Sequence, residues 1–84
     1  MMDVELLPDA ADELQNLPPV IQSRVAGVLG RLRNWPVVSG AKPLRHGLAG
    51  CFRIRTGDYR VQFHLRGKVV VVEKIGHRDG FYEE

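Results

Sequence analysis

Residues 51–82, CFRIRTGDYRVQFHLRGKVVVVEKIGHRDGFY, limit what this chain can fold into more than any other stretch. Phe52 and Ile54 alternate with Arg53 and Arg55, and Tyr59, Val61, Phe63 and Leu65 alternate with Arg60, Gln62 and His64. Strict period-2 alternation puts apolar side chains on one face of a sheet and polar ones on the other. Thr56-Gly57-Asp58 and Arg66-Gly67-Lys68 are tight glycine turns of the hairpin kind. Three consecutive strands follow, at about 51–56, 58–66 and 68–76, in a half-buried antiparallel sheet whose outer face is rich in guanidinium groups. The unbroken Val69-Val70-Val71-Val72 suits a strand in the sheet interior, covered on both sides near its start.

The rest of the chain supplies what covers the apolar face. Residues 2–7 read as a short edge strand ended by Pro8, and Pro8 with Asp9, Asp12 and Glu13 signals a helix start. Ala10, Leu14 and Leu17 keep helical spacing up to the stop at Pro18-Pro19. A second helix runs from there to about Asn34, with Ile21, Val25, Val28, Leu29 and Leu32 as one apolar stripe. Trp35 reads as a lid on this helical layer. The fold class is α+β, two-layer: an N-terminal strand and a helical hairpin packed on a twisted antiparallel sheet. With 84 residues, one domain spanning 1–84 is the limit.

Charge is segregated along the chain. Residues 1–20 carry −5, residues 21–78 carry +10 and the tail from 79 carries −3, so the net +2 conceals a strongly basic middle. Such asymmetry points to a polyanion, with RNA the leading candidate, although a basic face also serves solubility or an acidic protein partner. No apolar run is long enough for a transmembrane helix, and the acidic start lacks the basic n-region of a signal peptide. The lone Cys51 gives no disulfide framework. These features predict a cytoplasmic protein without membrane association. Paired carboxylates, clustered Cys/His ligands and a glycine-rich phosphate loop are all missing from the sequence, so no metal or other cofactor is expected.

Leu44-Arg45-x-Gly47-Leu48, Cys51-Phe52-Arg53-Ile54-Arg55, Gly57-Asp58-Tyr59-Arg60-Val61 and Ile75-Gly76-His77-Arg78, ending at Tyr82, resemble in order and spacing the RelE/ParE superfamily of type II toxin–antitoxin toxins. The match covers about residues 42–82, and the helical hairpin fits in order and length. The resemblance implies a toxin held by a cognate antitoxin in a hetero-oligomer. RelE-like members cut mRNA in the ribosomal A site; ParE-like members share the fold but inhibit DNA gyrase without nuclease activity. It further implies that Arg53 and Arg55 stand where RelE-like toxins have paired strand lysines, and that Arg60 and Arg78 match two active-site arginines.

Metal-independent RNA cleavage needs cations for the phosphorane, a base for the 2′-hydroxyl and an acid for the leaving 5′-oxygen. Arginine suits the first task, since its planar fork grips phosphate bidentately. It cannot be the base, because its pKa lies above 12. The catalytic candidates are therefore Arg60 and Arg78 for charge, with His77 or Tyr82 for proton transfer; His64 is a weaker choice, and Arg45, Arg53 and Arg55 are candidates for RNA binding. His77 points away from Arg78 unless the strand has begun to turn after Gly76. Cys51 falls on the arginine side by parity, with no partner motif behind a nucleophilic role. Ending at Glu84 leaves no room for a C-terminal helix, so an antitoxin segment is expected to fill the apolar groove between sheet and hairpin.

Overall fold

Both glycine turns close with positive φ, 61° at Gly57 and 59° at Gly67, the backbone region that lets a two-residue turn match the right-handed twist of its strands. In the computed structural model, which describes residues 1–45 and 50–80, they join β3 (Cys51–Thr56), β4 (Tyr59–Arg66) and β5 (Val69–His77). Two further strands complete the sheet: β1 (Asp3–Leu6) beside β5, and β2 (Lys42–Pro43) beside β3. The order is β1-β5-β4-β3-β2.

β3, β4 and β5 pair antiparallel, as the alternation and the glycine turns predict, and β1 makes the five-stranded sheet mixed. β1 runs parallel to β5, with Asp3 opposite Val69 and Leu6 opposite Val72. Periodicity sorts side chains between faces but carries nothing about the direction of a neighbouring strand. Valine burial agrees with the interior position expected of β5: Val70 and Val72 are fully covered, and Val71, on the other face, is 1% exposed.

α1 (Pro8–Gln15) and α2 (Pro19–Leu32) cover one face of the sheet. Ala10, Val25, Val28 and Leu32 meet Ile54, Val61, Phe63, Val70, Val72 and Ile75 in a single core. Trp35 closes its edge, its ring centroid 4.8 Å from Phe52 and 5.4 Å from Phe63. No helix among the described residues is long and apolar enough to cross a membrane.

A bulge in β5 shapes what lies on the other face. Gln62 pairs with Lys74 and Phe63 with Val72, which leaves Glu73 without a partner and resets the alternation, so that Ile75 rejoins Val61 on the core side. Beyond Val72, β1 no longer flanks β5, and Glu13 of α1 takes over: its Oε1 accepts the Ile75 N–H at 2.8 Å. An acid that reads as a helix-start charge is thus a support for the bulged strand. Glu13→Ala leaves this partly buried N–H without its acceptor and is expected to cost about 1–3 kcal/mol in urea unfolding, with Glu13→Gln retaining most of it.

Candidate nucleic-acid interface

Because β3 and β4 are antiparallel, their register decides which arginines meet. Arg55 stands opposite Arg60, Arg53 opposite Gln62, and Arg60 in turn opposite Gly76 on β5. Side chains directly opposite have Cβ atoms about 4.5–5.5 Å apart, a spacing at which like charges repel. The sheet therefore sets two arginines side by side on one face.

Arg60 is the unusual member. It is only 8% exposed, its Nε is buried without a hydrogen-bond partner, and no carboxylate pairs with it among the described residues. Taking a cation out of water costs several kcal/mol after relaxation, normally offset by a paired anion. Parity correctly gives Arg60 the face opposite Val61 but does not give its depth. Gly76 across the strand has no side chain to crowd the guanidinium.

Arg78 arrives at the same end of the sheet by a different route. The chain leaves β5 in a single 3₁₀ turn, Arg78–Gly80, and the Arg78 N–H donates to the Asp58 carbonyl at 2.8 Å, tying the turn to the β3–β4 hairpin. Its side chain is 58% exposed, with Nε 3.8 Å from Asp79 Oδ1. Arg53, Arg55 and Lys42 line an open depression of about 420 Å³ together with Gly40 and Gly57. A second, of about 410 Å³, continues along the edge between Lys42, Arg53 and Arg45. From α2, the Arg24 guanidinium reaches the hairpin turn, its Nη1 3.6 Å from where a Cβ on Gly57 would lie. Lys42 and Arg24 have no signal in the strand alternation: one sits on a two-residue strand, the other on a helix.

His77 does not join this group. It is still paired within β5 opposite Tyr59, which alternates with Arg60, and its ring meets Tyr59 edge-on at 5.4 Å. Its Nδ1 accepts the Asp79 N–H at 3.2 Å, with Asp79 Oδ2 3.3 Å away. Its Nδ1 is thus engaged by Asp79, away from the arginine face. The turn begins one residue too late to swing His77 to the arginine face. Tyr82, like Gly47 and Leu48 of the first motif, lies outside the described residues.

Farther up the same face, the bulged Glu73 gathers polar partners. Its carboxylate accepts from Gln62 Nε2 at 3.3 Å and lies 3.1 Å from His64 Nδ1. Burial first, then the hydrogen bond to Glu73 and its negative charge, push the Cys51 thiol above its ordinary value of 9.0. A thiol held protonated is a poor nucleophile, which argues against a catalytic Cys51.

No family model matches the chain. Toxin RelG of Mycobacterium tuberculosis (strain ATCC 25618 / H37Rv) is 36% identical over 76 residues, covering 87% of this chain and 86% of the relative. The chain belongs to the RelE-like toxins. Among solved structures, the toxin–antitoxin complex RelBE2 of M. tuberculosis has 34% identity and a TM-score of 0.81, with 92% of this chain and 98% of that one aligned. The isolated E. coli RelE toxin shares the fold at 21% identity and a TM-score of 0.78, with coverages of 92% and 84%. In this RelE-like toxin the arginine cluster thus sits on the sheet face that the helices leave open.

Proposed function

We propose that this RelE-like toxin is a metal-independent endoribonuclease that cuts mRNA on the ribosome by 2′-hydroxyl attack and is neutralised by a cognate antitoxin. The observation that carries the proposal is Arg60: it is buried, its Nε has no hydrogen-bond partner, and it stands opposite Arg55 with no carboxylate paired to it among the described residues, as suits a group that receives a phosphate. The relatives favour this reading over gyrase inhibition, and the RelBE2 structure being a toxin–antitoxin complex supports the partner.

In the reaction, the ribose O2′ attacks phosphorus as its proton passes to a base, and the P–O5′ bond breaks as O5′ takes up a proton. The products are a 2′,3′-cyclic phosphate and a 5′-hydroxyl. Arg60 and Arg55 hold the charge that builds on the phosphorane oxygens, in a site where little solvent reorganisation is needed. Arg78, more exposed, closes on the linkage from the hairpin end. With His77 engaged on the other face, proton transfer falls to Tyr82, the position at which the family resemblance has a tyrosine.

Sequencing RNA 5′ ends after brief induction in a bacterial host tests this. New 5′-hydroxyl ends inside coding regions, together with rapid arrest of translation, are the expected result. Intact message with DNA breaks and filamentation would instead assign the toxin to gyrase, and unimpaired growth would overturn both.

A further inference from the structure

We infer that His64 is the base that takes the proton from the attacking 2′-hydroxyl, and that Glu73 is the positioning residue that aims its ring. The inference rests on the nuclease reading of the arginine cluster. In-line displacement puts O2′ and O5′ on opposite sides of phosphorus, so one side chain cannot serve both proton transfers. Tyr82 answers for one, which leaves a second group to be found. His64 stands on the same face of β4 as Arg60, four residues and about 13 Å farther along the strand. On β3 it lies opposite Cys51 and diagonal to Arg53, a separation of about 7–8 Å. Arg78 flanks the cluster from the hairpin end of the sheet, and His64 flanks it from the other.

The bulge is what brings a carboxylate to this histidine. Glu73 is inserted into β5 with no residue opposite it on β4, and its Oε2 lies 3.1 Å from His64 Nδ1. Bulges next to active sites re-aim a side chain in this way. An ionised carboxylate only accepts hydrogen bonds, so Nδ1 carries the proton that faces it. That fixes the tautomer and directs Nε2, with its lone pair, to the far edge of the ring. The histidine side chain is 34% exposed, open to a substrate on this face. Gln62 Nε2, at 3.3 Å, and the Cys51 thiol also bond to Glu73, which holds the carboxylate between strands β3 and β4. A base oriented in turn by a third group is the arrangement that activates a hydroxyl nucleophile. His77 has a carboxylate of its own in Asp79, but on the face away from Arg60. In the step itself the proton leaves O2′ for His64 Nε2, the O2′–P bond forms, and the P–O5′ bond breaks as O5′ is protonated from the other side. The imidazolium, held by Glu73, then returns its proton to water.

The test is single-turnover cleavage on ribosomes programmed with a defined message. His64→Gln is expected to slow cleavage by about 10²–10⁴-fold, the contribution of a positioned base, while keeping the parent's melting transition. The rate should stay low on a message whose scissile 5′-oxygen is replaced by sulfur, a leaving group that departs without a proton. Glu73→Gln should slow the parent yet change nothing in the His64→Gln background, since a carboxylate that acts through the histidine has nothing left to orient. Equal losses in both backgrounds would make Glu73 a structural support and overturn the pairing. A rate recovered on the sulfur substrate would make His64 the acid and overturn its assignment as base. His64→Gln cutting both messages at the parent's rate overturns the whole inference while leaving the arginine cluster standing, whereas a parent that cuts no message overturns the nuclease reading as well.

Discussion

Arg60→Met is expected to lower cleavage by about 10²–10³-fold, the loss typical of one preorganised contact to a transition-state oxyanion, while making the free toxin more stable. The two effects have one cause. Arg60 is 8% exposed and its Nε is unsatisfied, so among the described residues no paired carboxylate offsets the desolvation of this cation. Methionine fills a similar volume and needs no partner, and replacing buried charge with packed apolar groups is often neutral or stabilising by 1–4 kcal/mol. A gain of about 1 kcal/mol raises the melting temperature of a domain this size by roughly 4–8 °C. Thermal unfolding and cleavage assays on the same preparation decide the matter. A melting temperature that falls, with cleavage retained, would make Arg60 a structural residue and remove the strongest support for the nuclease. Arg60→Lys should recover little activity, since an ammonium is a point charge without the bidentate fork.

The contrast between what the sequence reveals of β4 and what it conceals is instructive. Its alternation correctly separates Val61 and Phe63 from Arg60 and Gln62, and the glycines at 57 and 67 mark both of its turns. Trp35 as a lid follows from a lone aromatic after an amphipathic helix, and the ring contacts with Phe52 and Phe63 agree. Depth is a different quantity. Whether an arginine on the open face is wetted or covered depends on neighbours from three strands, and nothing local to Arg60 encodes it. The bulge at Glu73 is equally silent, and Glu13, which accepts the Ile75 N–H just beyond it, lies some sixty residues earlier in the chain. His77 is the converse case: its alternation with Arg78 gives the right face, because β5 stays regular through its pairing with Tyr59 and turns only at Arg78. Lys42 escapes notice for another reason, since a two-residue strand is too short to have a period.

Phe63→Ala should have the largest effect on stability, and it lies only three residues from Arg60 on the same strand. Phe63 is fully buried, stacked on Phe52 at 5.6 Å and edge-on to Trp35 at 5.4 Å, with Val72 opposite. Truncating a buried phenylalanine costs about 3–5 kcal/mol through lost transfer energy and the cavity left behind. The rings on either side cannot collapse into that space without giving up their own contacts, which places the cost toward the upper end. Domains hold together by about 0.05–0.15 kcal/mol per residue, about 4–13 kcal/mol for 84 residues, so this loss removes a large share of the total. The expected result is a urea midpoint well below the wild-type value, with the near-UV signal of Trp35 weakened before unfolding. Saturating antitoxin should restore part of the stability by mass action, about 2.7 kcal/mol at a hundred times its Kd. Phe63→Leu, which keeps most of the volume, should retain cooperative unfolding. Opposite signs for Arg60→Met and Phe63→Ala are what a sheet with one packed apolar face and one cationic face requires; an unchanged urea midpoint in Phe63→Ala would mean the packed face is not the one described.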